Sequence, residues 1–300
     1  MSQKLFEKTV IEAIALGYKR FELTPCAGDV FMDKKFIHKL SFLDEMSDVD
    51  GYSFFTNLTV PDEYSILELT RLKKLKSISI SVYGHDEDSF VDITQSTPVA
   101  YRRLLSNLDV LLKNRNLFDS LLGIDHRSEY KALRKNISSE LMKKLVELKD
   151  VGISINSTHG IYNNWGGLVS QDDVKGLDMI IIPDDYTPKR GVCLRLLQGV
   201  QVTASGMVNA CSCRDVNHQL EIGDVRDSPL SDIIHPSNKK YKTIIDEQES
   251  GYFRSICKSC DFYKSIYHKP QSYRKDGIKT ISLKEFLLNP FPGDRIRREP

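Results

Sequence analysis

The chain has 300 residues, of which 40% are hydrophobic and 28% are charged, as in an ordinary globular protein. Its 42 basic and 41 acidic residues leave a formal charge of +1, which gives no electrostatic reason to expect nucleic acid as a partner. No apolar run approaches the roughly 20 residues that a membrane-spanning helix needs, and charges after Met1 argue against a signal peptide. We therefore expect a cytoplasmic protein without a membrane partner.

Helical and extended patterns alternate through the first half of the chain. Amphipathic spacing predicts helices over residues 3–16, 33–45, 61–74, 100–113 and 138–148. Runs rich in β-formers predict strands at 20–23, 52–56, 77–82, 120–125 and 152–155. Short buried strands separated by amphipathic helices indicate a parallel sheet, closed or partly closed. In such sheets, the residues that carry chemistry lie at the carboxyl ends of the strands.

The alternation stops after residue 156. Residues 156–167 are rich in Asn, Ser and Gly and predict a loop, and residues 179–182 predict a last strand. From about residue 186 the chain predicts hairpins, short helices and a cluster of cysteines, which indicates a second domain. The three prolines after residue 289 are typical of a frayed tail.

Five of the six cysteines lie in one stretch of the second half. They are Cys193, Cys211, Cys213, Cys257 and Cys260. Two separated cysteines followed by a Cys-x-x-Cys pair are typical of a metal or cluster site, since about four soft ligands must converge. In a reducing cytoplasm, clustered thiols favour a metal over disulfides. The spacing alone does not separate zinc from an iron–sulfur cluster.

Short polar motifs follow three of the predicted strands. They are Thr24-Pro-Cys-Ala-Gly28-Asp29-Val, Phe55-Thr-Asn57-Leu-Thr59 and Ser79-Ile-Ser81-Val-Tyr-Gly84. In order and spacing they resemble the motifs at the ends of the second, third and fourth barrel strands of radical S-adenosylmethionine (AdoMet) enzymes. The resemblance implies an α/β fold at residues 1–185, a partial (β/α) TIM-like barrel without its first strand.

The cysteine-rich half resembles the SPASM or twitch domain of the same enzymes. Cys193, the hairpin glycine Gly206 and Cys211 occur in that order, and Cys257-x-x-Cys260 follows them. The resemblance implies a small α+β SPASM/twitch domain at residues 186–270 and a C-terminal extension at 271–300. It also implies one auxiliary [4Fe-4S] cluster on Cys193, Cys211, Cys257 and Cys260. Zinc on the same thiolates remains the alternative, and Cys213 is either a substitute ligand or a small buried thiol.

The resemblance further implies roles for residues at the strand ends. Asp29, beside the turn amides at Gly28, would receive the methionine ammonium of AdoMet. Asn57 and Ser81 would form hydrogen bonds to its ribose or carboxylate, and Arg127 would bind the carboxylate as a bidentate fork. Without the resemblance, Gly28 and Asp29 are explained as a turn, Asn57 as a strand-end cap and Arg127 as a solvated loop cation.

The motif that defines the radical family, Cys-x-x-x-Cys-x-x-Cys, does not occur in the 300 residues. Three accounts are open: an N-terminally shortened sequence, a partner protein that supplies the cluster loop, or a degenerate, non-catalytic relative. The leading hypothesis is an oxidoreductase or modifying enzyme that acts by radical hydrogen abstraction on a peptide, sugar or other small-molecule substrate. The alternative is a non-catalytic binding protein stabilised by zinc or a cluster.

Overall fold

The computed structural model describes residues 1–25, 28–134, 138–184, 187–212, 215–267 and 283–284. The chain packs as two compact units. One contains Lys19–Tyr162 and Gln171–Ile180, and the other contains Met1–Tyr18, Asn163–Ser170 and the chain from Ile181 onward. The proposed domain boundary at residues 185 and 186 lies outside the described residues. So do all but two residues of the proposed extension at 271–300.

The first unit is built on a five-stranded parallel sheet whose strands lie side by side in chain order. The strands are β1 (Arg20–Leu23), β2 (Gly51–Thr56), β3 (Leu75–Tyr83), β4 (Leu121–Ser128) and β5 (Ser154–His159). The helices between them are α2 (Phe36–Glu45), α3 (Glu63–Glu68), α4 (Glu87–Thr94), α5 (Pro98–Asn114), α6 (Tyr130–Arg134) and α7 (Glu140–Asp150). The predicted parallel sheet is confirmed.

The two faces of this sheet differ in chemistry because side chains alternate along each strand. On β3, Ile78, Ile80 and Val82 are fully buried, whereas the intervening residues are half-buried serines and a tyrosine. The same alternation continues on β4. One face therefore belongs to the apolar core, and the opposite face is polar and accessible. This arrangement leaves the polar face available to a ligand.

The predicted last strand at residues 179–182 is present in shortened form, but it does not join the five-stranded sheet. It is only two residues long, β7 (Ile180–Ile181), and it pairs with β6 (Ile161–Tyr162) in a separate two-stranded sheet. Gly160, at φ +78°, turns the chain directly after β5, and its carbonyl accepts the N–H of Ile180 at 2.6 Å. The turn ends the parallel sheet at β5.

The second unit contains helix α1 (Gln3–Ala15) and the cysteine-rich part of the chain. Its other elements are α8 (Leu194–Gln198), β8 (Gln201–Val202), β9 (Met207–Asn209), β10 (Glu221–Asp224), α9 (Leu230–Ile233), α10 (Lys239–Glu249) and α11 (Ser255–Lys258). The strands form an antiparallel sheet in the order β10-β9-β8. Helix α1 is tied to this unit, since Glu12 accepts the N–H of Leu230 at 2.9 Å.

The predicted hairpin turns at Gly206, which lies between β8 and β9 at φ +103°. A Cβ at this position would lie 2.9 Å from Oδ1 of Asp224, so both the backbone conformation and the space favour glycine. The hairpin carries the chain from α8 to Cys211, which lies just beyond β9. Across the described residues, no helix is long and apolar enough to cross a bilayer.

Candidate metal centre and strand-end residues

The four cysteines predicted as ligands line one cavity in the second unit. Cys193 caps the start of α8, Cys211 follows β9, Cys257 lies in α11 and Cys260 comes just after that helix. None of the four is in a disulfide. The fold thus brings together residues that are up to 67 positions apart in the sequence. Cys213, the fifth cysteine of the stretch, lies outside the described residues.

Backbone hydrogen bonds fix the cysteines from both sides. Cys193 forms an antiparallel bridge with Ser265, and the N–H of Leu194 donates to the carbonyl of Lys264 at 2.7 Å. At the Cys257-x-x-Cys260 turn, the N–H of Cys260 donates to the carbonyl of Cys257 at 3.3 Å. The two ends of the cysteine stretch are therefore held against each other by main-chain contacts.

A loop distant in sequence supports the Cys257–Cys260 turn. The side-chain nitrogen of Asn164 donates to the carbonyl of Ser259 at 2.8 Å, and its backbone N–H donates to Asp261 at 3.2 Å. Lys189 Nζ donates to the carbonyl of Cys260 at 2.7 Å. Asn164 is only 1% exposed, which is typical of a polar side chain with a structural role. Sequence reasoning treated this segment as a loop and missed that role.

The cavity wall is mostly apolar, and this sets the chemistry of the thiols. Burial raises the pKa of the Cys257 thiol well above its usual range, and charge on Cys211, Cys193 and Cys260 would raise it further. The thiol is therefore held protonated, and a metal that bound it would have to displace this proton. Burial lowers the pKa of the nearby Lys189, while the attraction of Cys260 and Asp261 opposes that change.

The residues present fit an anionic cluster. Arg195 lines the same cavity, and among the described residues its buried Nε has no hydrogen-bond acceptor. A buried guanidinium N–H without an acceptor, beside four thiols, matches a negatively charged group in the cavity. In the part of the chain that the structure describes, no three His, Cys, Asp or Glu side chains converge closely enough for a single ion. The four thiols line one shared cavity.

In the other unit, Asp29 lies just beyond β1 and is 4% exposed. Its Oδ2 accepts hydrogen bonds from Thr56 Oγ1 at 2.8 Å and from the N–H of Asn57 at 2.7 Å. Its Oδ1 accepts the N–H of Phe31 at 3.0 Å. Gly28 precedes it at φ +80°, as a turn glycine. The carboxylate therefore joins the loop after β1 to the end of β2.

The side chain of Asn57 forms hydrogen bonds within its own turn. Its side-chain oxygen accepts both the N–H of Thr59 at 3.1 Å and the hydroxyl of Thr59 at 2.7 Å. This is the geometry of an Asx turn that ends a strand. The contact matches the local explanation of Asn57, and a role toward AdoMet stays a prediction.

Ser81 and Arg127 meet on the polar face of the sheet. Arg127 Nη1 donates to Ser81 Oγ at 3.2 Å, and its Nη2 lies 3.8 Å from Asp125 Oδ2. The guanidinium carbon lies 5.6 Å from the centre of the Tyr83 ring, a cation–π contact. Asn156 on the next strand donates to Asp125 at 3.3 Å. Neighbouring parallel strands thus assemble one polar network from residues that the sequence keeps far apart.

Three histidines near the same strand ends form a group that sequence reasoning missed. His126 is fully buried, its Nε2 donates to the carbonyl of Gly84 at 2.7 Å, and its ring lies 5.4 Å from that of His159. His85, also buried, is hydrogen-bonded through Nδ1 to Ser128 Oγ at 2.9 Å. Burial lowers the pKa of His126, and the neighbouring His159 and His85 add to the effect. For His126, these contacts indicate a neutral histidine with a structural role.

Comparison with known proteins identifies the domain that contains the four cysteines. Residues 193–261 match the model of SPASM, an iron–sulfur cluster-binding domain. The chain contains a SPASM domain. Such a domain binds an iron–sulfur cluster, so zinc is not favoured. No curated protein sequence is significantly similar to the chain as a whole.

The chain is similar to several solved structures. Native anSMEcpe with bound AdoMet and Cp18Cys peptide is 14% identical, with a TM-score of 0.53 over 87% of this chain and 78% of that one. Native anSMEcpe with bound AdoMet is also 14% identical, with a TM-score of 0.52 over 87% of this chain and 80% of that one. BtrN in complex with AdoMet and 2-DOIA is 14% identical, with a TM-score of 0.48 over 87% of this chain and 80% of that one. The likeness to anSMEcpe concerns the fold: the five-stranded parallel sheet and its helices form a partial (β/α) barrel, as in that protein.

Proposed function

We propose that this chain is a radical AdoMet-type protein whose SPASM domain holds one auxiliary [4Fe-4S] cluster on Cys193, Cys211, Cys257 and Cys260. The observation that carries the proposal is the convergence of these four thiols on one largely apolar cavity. When bound, the cluster supplies one-electron redox chemistry. The chain contributes thiolate ligands, an apolar wall and the supports at Asn164 and Lys189. The proposed domain limits remain 1–185, 186–270 and 271–300.

The polar face of the barrel is proposed to bind AdoMet. Arg127 supports this proposal because its guanidinium, with a side chain 33% exposed, can bind a carboxylate as a fork. Among the described residues, Asp29 Oδ1 accepts one hydrogen bond, whereas a carboxylate accepts about four in all, which leaves room for the ammonium of AdoMet. Gly28, Asn57 and Ser81 complete the proposed set.

A peptide, sugar or other small molecule is proposed as the substrate. When AdoMet is bound and reduced, it supplies the radical that abstracts a hydrogen atom from a substrate. The reducing cluster needs a Cys-x-x-x-Cys-x-x-Cys loop, and the 300 residues do not contain one. We therefore propose that this loop comes from outside the sequence, in a longer form of the protein or from a partner protein. The peptide bound to anSMEcpe supports the peptide class among these substrates.

Anaerobic reconstitution with iron and sulfide tests the proposal. We expect a broad charge-transfer band in visible light, iron in Mössbauer spectra typical of a [4Fe-4S] cluster, and AdoMet binding in equilibrium dialysis. Arg127→Gln should weaken AdoMet binding about tenfold or more, since it removes a charged, bidentate donor. Arg71→Gln is the control, because Arg71 pairs with Glu68 on the surface. Zinc in the purified protein without visible absorption would overturn the cluster, and equal affinity in both variants would overturn the AdoMet site.

A further inference from the structure

One buried glutamine connects two of the four cysteines. Gln248 lies on α10 and is 2% exposed. Its Oε1 accepts the backbone N–H of Cys193 at 2.8 Å, and its Nε2 donates to Cys257 Sγ at 3.2 Å. Gln248 also lines the cysteine cavity. The side chain therefore joins the first and third cysteines of the site.

The orientation of this amide follows from its partners. A backbone N–H can only donate, so the atom that meets Cys193 must be the amide oxygen. The amide nitrogen, which carries two N–H groups, must then point toward the sulfur of Cys257. The helix that carries Gln248 is anchored by Tyr241, Ile244 and Ile245, each at most 2% exposed. The N–H is thus aimed at the sulfur before any cluster binds.

We propose that Gln248 is a positioning residue that raises the reduction potential of the auxiliary cluster. The inference rests on the proposed function, because it assumes that Cys257 is a cluster ligand. Reduction adds negative charge, which spreads onto the thiolates. An N–H that donates to a thiolate stabilises the reduced form more than the oxidised form, so it raises the potential. The bond to Cys193 holds a second ligand in place at the same time.

Gln248 is suited to this role because it is neutral. Arg195 lines the same cavity and carries a full positive charge, which would shift the reduction potential even without a hydrogen bond to the cluster. A glutamine acts almost only through its hydrogen bond, so its removal isolates that contribution. The two residues can therefore be told apart by substitution.

The test is an anaerobic redox titration of the reconstituted protein, followed by electron paramagnetic resonance. Gln248→Leu keeps most of the volume and removes the donor, and Gln248→Glu keeps the acceptor for Cys193 but replaces the donor by a negative oxygen. We expect full iron content with a lower potential in Gln248→Leu and a still lower potential in Gln248→Glu. Gln198→Leu is the matched control, because Gln198 is exposed at the end of α8, and its potential should equal that of the wild type.

A second measurement does not depend on the stability of the variants. In reduced wild-type protein labelled with ¹⁵N only in glutamine side chains, we expect a ¹⁵N hyperfine coupling to the cluster. The coupling should be absent in Gln248→Leu, whether or not that variant retains its cluster. Unchanged potentials in both Gln248 variants, or no ¹⁵N coupling in the wild type, would overturn the inference while leaving the cluster in place. A wild-type protein that binds no iron–sulfur cluster would instead overturn the proposed function.

Discussion

Single residues in this protein acquire their chemistry from burial. Cys257 is an ordinary thiol in the sequence, but in the fold its pKa is raised by desolvation and it accepts a hydrogen bond from Gln248. His126 looks isolated in the sequence, yet it is fully buried, it donates to the carbonyl of Gly84, and its pKa is lowered. Both pKa shifts favour the neutral form, the thiol of Cys257 and the uncharged imidazole of His126, since a charge is costly in an apolar environment.

Cys257→Ser should release the cluster. A serine hydroxyl is a poor ligand for iron, and the remaining three thiolates leave the cluster open to solvent and oxygen. We expect the loss of most of the iron and of the visible charge-transfer band, together with a lower thermal midpoint, because metal binding here also stabilises the fold. Iron analysis and a thermal scan measure both effects. Cys26→Ser is the control, because Cys26 is not one of the proposed ligands, and it should retain its iron. Iron retained by Cys257→Ser would contradict the proposed ligand set.

Acid should destabilise the protein partly through His126. Its pKa in the folded state lies below the ordinary value of 6.5, so the unfolded chain binds a proton that the folded chain does not. The stabilisation is complete above the unfolded pKa and is lost as the pH falls through the folded pKa. His126→Gln should therefore show a smaller decrease in the urea midpoint between about pH 7.5 and about pH 5.5 than the wild type.

His38→Gln provides the control for that series, because His38 is exposed on α2. Its urea midpoint should depend on pH as that of the wild type does. An identical pH dependence in His126→Gln and the wild type would show that the buried histidine does not contribute.

At the scale of elements, the barrel strands are tied together by the loops at their carboxyl ends. Asp29 connects the loop after β1 to Thr56 and Asn57 at the end of β2. Arg127 on β4 reaches Ser81 on β3. These links lie where ligands bind in parallel α/β sheets, so the same residues stabilise the fold and border the proposed AdoMet site.

Asp29→Ala should destabilise the barrel by about 2–3 kcal/mol, because it leaves the buried Thr56 hydroxyl and the N–H of Asn57 without their acceptor. The free energy of unfolding in urea measures the change. Adding Thr56→Val in a double-mutant cycle should recover part of the lost stability, since the valine removes one of the two donors left without an acceptor. Asp62→Ala, which removes an exposed helix cap, should cost only about 1 kcal/mol. Equal costs for the two alanine variants would argue against the inter-strand role of Asp29.

At the scale of the whole molecule, the 300 residues offer ligands for one cluster. We expect roughly four iron atoms per chain after reconstitution, rather than roughly eight. With dithionite as reductant, this chain alone should form no 5′-deoxyadenosine from AdoMet, because its 300 residues lack the Cys-x-x-x-Cys-x-x-Cys motif whose cluster would pass the electron to AdoMet. Iron analysis and chromatography of the reaction mixture test both statements. A steady release of 5′-deoxyadenosine by the chain alone would refute the need for a supplied cluster loop.

The sequence by itself determined the element types and the chemical class of the cysteine site. Alternating β-rich and amphipathic runs are local patterns, and they predicted the parallel sheet that β1 to β5 form. The Gly206 hairpin and the Cys257-x-x-Cys260 turn are also local, so their residues are adjacent in the sequence as they are in the fold. The sequence predicted the strand β7 but not its partner, because so short a run carries no period that tells which sheet it joins.

Only the tertiary structure decided which residues surround the site. Gln248 lies 55 positions from Cys193 and Asn164 lies 95 positions from Ser259, so no local pattern connects them. The same holds for His85 and Ser128, which are 43 positions apart. A side-chain contact across such distances depends on how the elements pack, whereas ligand type depends on residue identity alone. The sequence therefore indicated a soft-metal site, and the packing determined the buried amide that faces it.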